Sequence, residues 1–348
     1  MEKILVLIHT ETDGSLGKAA LESLTAANNL VSSLPGSSLS VGVVGGNVQP
    51  AAAQLGGLGA AQILGVAGAD FEQSRYASDA AAVETLCQTV QPTIVVAVGT
   101  SRWARVLPGT ASRLKGRAET HVTQVGVSDG KITVTRWYYR QRMEALLQRA
   151  QRPWFIVLDA GCYPAFKSDG SAVSIQPVAV ALPDACKRTQ VTGIQAPPAD
   201  EQTIRPDAEL LFVTGAGWTK KQADGQPHVK DAETHILGFL KLTRASLGSS
   251  KSLVDLSGEG QQVLSFLTHL NQIGQTGSTP RHAKGLATCC HGEEPHTVGW
   301  RFINERRAIN LDANCGWARG KADVLYVTDA FAVMKKVNEM LATKPASD

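Results

Sequence analysis

Short runs of consecutive apolar residues, many of them β-branched, punctuate the first half of the chain, with alanine-rich stretches between them. Residues 4–9, 39–45, 62–66, 93–99 and 154–159 carry such runs. Unbroken apolar runs of this length fit strands buried on both faces of a parallel sheet. Residues 17–30 and 78–88 supply helical stretches between them, and strands alternating with helices imply right-handed crossovers in a doubly wound layer fold. One departure is the pair 121–127 and 131–139, which flanks Ser128-Asp129-Gly130 and reads as an antiparallel hairpin with an Asp-Gly turn.

The rhythm is interrupted at Ala196-Pro197-Pro198-Ala199-Asp200-Glu201, where paired prolines remove backbone donors and resist both helix and central strand. Beyond this linker a second α/β pattern begins. Its expected strands are 210–214, 252–256, 285–289, 307–310 and 324–327, with helices over 230–247, 260–270 and 329–340. The expectation is an α/β protein of two doubly wound parallel-sheet domains, residues 1–200 and 205–348.

Composition is compatible with this. A chain of 348 residues is too long for one ordinary core and suits two domains of about 150 to 200 residues each. The 43% hydrophobic content and 33 glycines fit a globular α/β fold with many tight turns. A net charge of +3, with basic residues scattered along the chain, argues against a nucleic-acid partner. The opening apolar run is too short for a signal-peptide core or a membrane span, so no membrane insertion and a cytoplasmic location are expected. Cys87, Cys162, Cys186, Cys289, Cys290 and Cys315 are too sparse for a disulfide framework. Neither a G-x-S-x-G elbow nor a G-x-x-x-x-G-K-S/T phosphate loop occurs.

The candidate chemistry lies in the last third. Gln272-Ile273-Gly274-Gln275-Thr276-Gly277 offers two glycines that let backbone pass close to a planar ligand, and Gln275 and Thr276 offer an amide and a hydroxyl to ring nitrogens and oxygens. Before it stands Leu242-Thr243-Arg244-Ala245-Ser246, and after it Cys290-His291-Gly292-Glu293-Glu294-Pro295-His296, Ala308-Ile309-Asn310-Leu311-Asp312 and Ala322-Asp323.

This ordered series resembles the C-terminal FAD domain of the electron transfer flavoprotein alpha subunit family, where the order is G-A-S-R, V-G-Q-T-G, S-G-A-I-Q-H, A-I-N-K-D-P and A-D-Y. Earlier, Pro108-Gly109-Thr110-Ala111-Ser112-Arg113-Leu114 echoes the family's P-R-V-A-A-R-L helix. The resemblance implies an electron carrier, not a substrate-converting enzyme. It implies FAD bound by Arg244, Gln272, Gly274, Gln275, Thr276, Gly277, His291, Gly292, His296, Asn310 and Asp323. Arg244 and His296 would stabilise the charge that a reduced ring gathers near N1 and O2; Thr276 would bond N5 or O4; Asn310 and Asp323 would hold the ribityl-adenine end. The N-terminal domain would contact a beta-type subunit in a heterodimer. Electrons would arrive from flavin dehydrogenases and leave to a quinone-reducing or other oxidoreductase.

The chain departs from the pattern in several places. It is longer than the family pattern around Leu247 to Gln262, and the family's G-G-R-G-L turn reads Gly215-Ala216-Gly217-Trp218, without the arginine. His291 replaces a serine and Pro295 a glutamine. Two alternatives stay open. Cys289, Cys290, His291, Glu293, Glu294 and His296 are all metal-ligand types, although adjacent cysteines on a strand point to opposite faces. The fold could also serve as an FAD-free nucleotide-binding or scaffolding subunit.

Overall fold

The structure, a computed structural model, describes residues 1–138, 143–193, 204–205, 208–255, 263–273, 279–288, 303–314 and 322–343. The chain forms two compact units, Met1–Gln195 and Ala196–Asp348. The expected linker around Pro197 and Pro198 lies outside the described residues.

In the first unit the apolar runs become β1 (Lys3–His9), β2 (Ser38–Gly45), β3 (Gln62–Ala67), β4 (Ile94–Val98) and β8 (Trp154–Leu158). Between them run α1 (Lys18–Ser32), α2 (Ala69–Glu72), α3 (Tyr76–Val90) and α4 (Ser101–Arg113). The expected hairpin is β5 (Arg117–Ser128) and β6 (Lys131–Tyr138), extended by β7 (Met143–Leu147); β9 (Gln176–Pro177) closes the other edge. The order is β7-β6-β5-β8-β4-β1-β2-β3-β9. The hairpin pairs are antiparallel and the rest parallel.

Side chains of β1 alternate between two cores, as a strand period of two requires. Ile4, Val6 and Ile8 pack on one face with Leu24 and Leu30 of α1, and Leu5 and Leu7 on the other with Leu86 of α3 and Trp103 of α4. That two-sided burial is why the sequence shows unbroken apolar runs here. At the hairpin tip Asp129 and Gly130 have φ of 52° and 70°, the left-handed pair that matches the twist of the flanking strands. Glu119, 2% exposed on β5, holds Arg136 of β6 at 2.6 Å and also pairs with Arg149.

Helices α3 and α4 are joined by a buried ion pair. Asp79 is 0% and Arg102 4% exposed. Arg102 donates from Nε to Asp79 Oδ2 (2.9 Å), and from Nη2 to Asp79 Oδ1 (2.5 Å) and to the Phe71 carbonyl (2.6 Å).

The second unit contains β10 (Leu210–Thr214), α5 (Val229–Thr243), β11 (Ser246–Ser249), α6 (Lys251–Asp255), β12 (His282–Thr288), β13 (Ile303–Asn310), β14 (Val324–Val327) and α7 (Ala330–Ala342). Its five described strands form a wholly parallel sheet in the order β11-β10-β12-β13-β14. Phe212, Leu247 and Ile309 face α5 and α7 through Ile236, Phe239, Leu240 and Met334, whereas Leu211, Val213, Ala287 and Ala308 form the opposite core face.

Three expected elements are corrected. The helix over 230–247 stops at Thr243, because Arg244 turns left-handed (φ 53°, ψ 28°) with its N–H on the Leu240 carbonyl, a standard helix stop. Leu247 continues the apolar helical pattern in sequence, yet belongs to β11. The strand expected at 252–256 is instead the helix α6, whose hydrophobic Leu253 packs in the same core as Leu247. Of the helix expected over 260–270, described residues 263–268 are not helical and a short 3₁₀ turn forms at His269–Asn271. Gly248 is required by this arrangement: a Cβ there would sit 2.5 Å from Ile273 and 3.2 Å from Leu211 side chains.

Asp79→Ala leaves a guanidinium buried without its carboxylate, and should lower unfolding free energy by about 3 kcal/mol or more in urea denaturation. Glu84→Ala, which removes the partner of the exposed Arg113, should cost no more than about 1 kcal/mol. Equal losses would mean that the buried pair does not organise α3 against α4.

Candidate functional site

Because every described strand of the second sheet is parallel, all carboxyl ends lie along one edge. After β10 the chain places β11 on one side and β12 on the other, and such a reversal opens a crevice beyond the strand ends where α/β folds bind ligands. The groups at this edge can be followed strand by strand.

At the end of β11 the chain reads Gly248-Ser249-Ser250-Lys251. The Ser250 N–H is held by the Thr214 carbonyl at 2.9 Å, and the Ser250 hydroxyl accepts from Leu253 N–H at 3.3 Å, turning the chain into α6. Lys251 is exposed at that turn. Alongside runs Gln272, which bridges Ser249 in parallel and is 9% exposed. It is fixed by Ile273 N–H on the Ser249 carbonyl (3.1 Å) and by Asn271 Nδ2 on the Leu247 carbonyl (3.3 Å). The next residues of the chain, Gly274, Gln275, Thr276 and Gly277, lie outside the described residues, as do His291, Gly292, His296 and the other members of the metal alternative, Cys289, Cys290, Glu293 and Glu294.

Arg244 is not at this edge. It is exposed at the amino end of β11, where its carbonyl accepts from the Arg205 guanidinium, and the length of the four-residue strand separates it from Ser249 by roughly 10 to 13 Å. The carboxyl end of β11 carries the run Gly248-Ser249-Ser250-Lys251 instead.

Asn310 stands at the carboxyl end of β13, 2% exposed, with Oδ1 accepting from Asp312 N–H at 3.1 Å. Asp323 stands at the amino end of β14: its Oδ2 accepts from Arg306 N–H at 2.6 Å and its own N–H donates to the Arg306 carbonyl at 2.8 Å. These bonds fasten the start of β14 to β13. The carboxylate at the carboxyl end of β14 is Asp329, which caps α7 by accepting from Phe331 N–H at 3.0 Å. Asn310, Leu311, Thr328 and Asp329 line a cleft whose other wall is Gly217 and Gln222. Lys251 and Asp329, absent from the expected set, each stand two residues beyond a strand end, the position where ligand groups of α/β folds gather.

The Gly215-Ala216-Gly217 turn is packed inward. Ala216 and Trp218 are both 0% exposed, Gly215 N–H donates to the Thr288 carbonyl (2.9 Å), and Trp218 Nε1–H donates to Thr288 Oγ1 (2.8 Å). The turn thus brings backbone and an indole to the edge but no cation. The first unit's own reversal point, between β1 and β4, is lined by Leu7, His9, Ser23, Thr100 and Trp103. There His9 Nε2 lies 3.2 Å from Thr100 Oγ1, and burial lowers the His9 pKa, favouring a neutral ring.

Among the described residues no group of three or more His, Cys, Asp or Glu could hold a metal ion, and no helix is long and apolar enough to cross a membrane. No curated protein matches the chain. The electron transfer flavoprotein domain family model matches residues 4–184, more than half of the 348 residues. That match covers nearly all of the first unit and is independent of the motifs in the second. The chain belongs to the electron transfer flavoprotein domain family.

Proposed function

We propose that this chain is an alpha-type electron transfer flavoprotein subunit, which holds FAD in its second unit and works as a heterodimer with a beta-type subunit in the cytoplasm. Flavin dehydrogenases are its donors and a quinone-reducing or other oxidoreductase its acceptor. The observation that carries the reading is the convergence of Lys251, Gln272, Asn310 and Asp329 on the carboxyl edge of one parallel sheet.

The donor set fits the group. Lys251 supplies a cation at one end of the sheet's carboxyl edge, two residues beyond Ser249, which bridges Gln272. Asn310 and Asp329 supply an amide and a carboxylate, acceptors for ribose or ribityl hydroxyls. When bound, FAD would accept and release electrons one or two at a time. The chain's part is to orient the ring, exclude water from it and place positive charge where negative charge gathers on reduction. In this reading the cation role expected of Arg244 passes to Lys251, and the carboxylate role expected of Asp323 passes to Asp329. The absence of a cation from the Ala216 turn favours the second reading, an FAD-free subunit, and an absorption spectrum separates the two.

Co-expressed with its beta-type partner, the chain should purify as a yellow heterodimer with flavin bands; a colourless complex would support the FAD-free reading. Lys251→Ala should lower the potential of the first one-electron reduction by roughly 40 to 90 mV, the equivalent of a few-fold to thirtyfold change at about 59 mV per factor of ten. Arg244→Ala should leave it unchanged. A shift with Arg244 and none with Lys251 would return the cation role to the amino edge.

FAD retention supplies a separate test. Asn310→Ala and Asp329→Ala should weaken it about tenfold to a hundredfold, the cost of a lost ligand hydrogen bond, measured by equilibrium dialysis. Asp323→Ala should instead destabilise the fold with little change in affinity, since its carboxylate serves Arg306.

A further inference from the structure

The cleft formed by Gly217, Asn310 and Asp329 has two walls that belong to elements far apart in sequence, and a single side chain joins them. Trp218 directly follows the Gly217 wall and is 0% exposed. Its Nε1–H donates to Thr288 Oγ1 at 2.8 Å, and the Thr288 hydroxyl donates in turn to the Val213 carbonyl at 3.0 Å. The hydroxyl donates its one proton to Val213 and accepts the indole proton through an oxygen lone pair. On its other side the Trp218 ring meets Phe331 with centroids 4.6 Å apart and planes at 55°. Phe331 is the residue whose backbone N–H holds the Asp329 carboxylate at 3.0 Å. A continuous line of contact therefore runs from the end of β12 through Trp218 to the opposite wall. Gln222 Nε2 braces the near wall by donating to the Gly217 carbonyl at 3.0 Å.

We infer that Trp218 is a positioning residue that sets the separation between the Gly217 wall and Asp329, and that its bond to Thr288 thereby determines preference for a ligand carrying an adenosine moiety. The inference rests on the reading that this edge holds FAD. The Trp218 side chain is fully buried, so it would act through these contacts and not by touching the ligand. Phenylalanine in its place keeps a ring against Phe331 but loses the indole proton, so the turn keeps only its Gly215 N–H bond to the Thr288 carbonyl as a tie to β12. Valine at position 288 keeps the shape of threonine and removes the acceptor. Both changes loosen the same restraint, so their effects should not add.

The test measures dissociation constants of FAD and FMN for the full chain in complex with its partner subunit, by flavin fluorescence. Trp218→Phe and Thr288→Val should each weaken FAD binding about tenfold, and the double variant should be no more than about twofold worse than either. Thr288→Ser, which restores the hydroxyl, should bind FAD as the unaltered protein does. FMN affinity should stay within about twofold throughout, because FMN lacks the adenosine half. Parallel losses of FAD and FMN would mean that the pair supports only the general fold, and would overturn the inference; so would additive losses, or FAD affinity unchanged in both single variants. If Trp218→Phe fails to fold, the Thr288→Val and Thr288→Ser comparison decides the matter alone. Failure of the unaltered complex to bind FAD at all would count against the proposed function, a different outcome from normal FAD binding that the variants leave untouched.

Discussion

The parallel pairing of β10 with β11 on one side and β12 on the other is the constraint on which the second unit depends. Thr214 stands opposite both Ser249 and Thr288, so three strand ends finish level with one another. The segments leaving those ends are thereby delivered to one place: the Gly215 turn, the Ser250-Lys251 turn and the end of β12. Parallel strands cannot be joined by tight hairpins, and the crossovers they require occupy the faces of the sheet. Polar groups that leave the strand ends gather along the edge.

The two units solve the same architectural problem differently. Each has a point where the strand order reverses, between β1 and β4 in the first and between β10 and β12 in the second. In the first, His9, Thr100 and Trp103 close the reversal point with their own contacts. In the second, small residues at Gly215, Ala216 and Ser249 keep the strand ends slim, and polar side chains stand along the rim. The large side chain of the β10 turn, Trp218, is turned into the sheet and hydrogen-bonded there. The same topological rule thus yields two crevices with different linings.

Membership of the family rests on the first unit, whereas the proposed chemistry rests on the second. The first unit gains rigidity from charges placed deep in its core: Asp79 with Arg102, and Glu119 with two arginines. Burying such pairs costs desolvation, which geometry with several bonds offsets. They fix the angle between α3 and α4 and the set of the β5–β6 hairpin. In the second unit buried polar groups are concentrated near the strand ends instead, as Ser249, Asn271, Thr288 and Asn310.

What the sequence by itself determined was the alternation of strands and helices in the first unit, the Asp-Gly hairpin and four of the five described strands of the second sheet. Each of these is written in local periodicity or turn chemistry, which a strand buried on both faces or a left-handed turn pair imposes directly. Asn310 ends the Ala308-Ile309 run that the sequence marks as a strand. Tertiary structure alone decided β11 and the carboxyl-edge residues that depend on it. Ser246–Ser249 is short, small and rich in serine, so its strand character comes from pairing with β10 and from Ile273 packed over Gly248. Leu247 continued the helical pattern of α5, so the local pattern did not mark where the helix ends and β11 begins. Asp323 and Asp329 are likewise indistinguishable as aspartates beside a strand. Which of them faces the crevice depends on the direction in which β14 runs in the sheet, and strand direction is a property of pairing that no local pattern records.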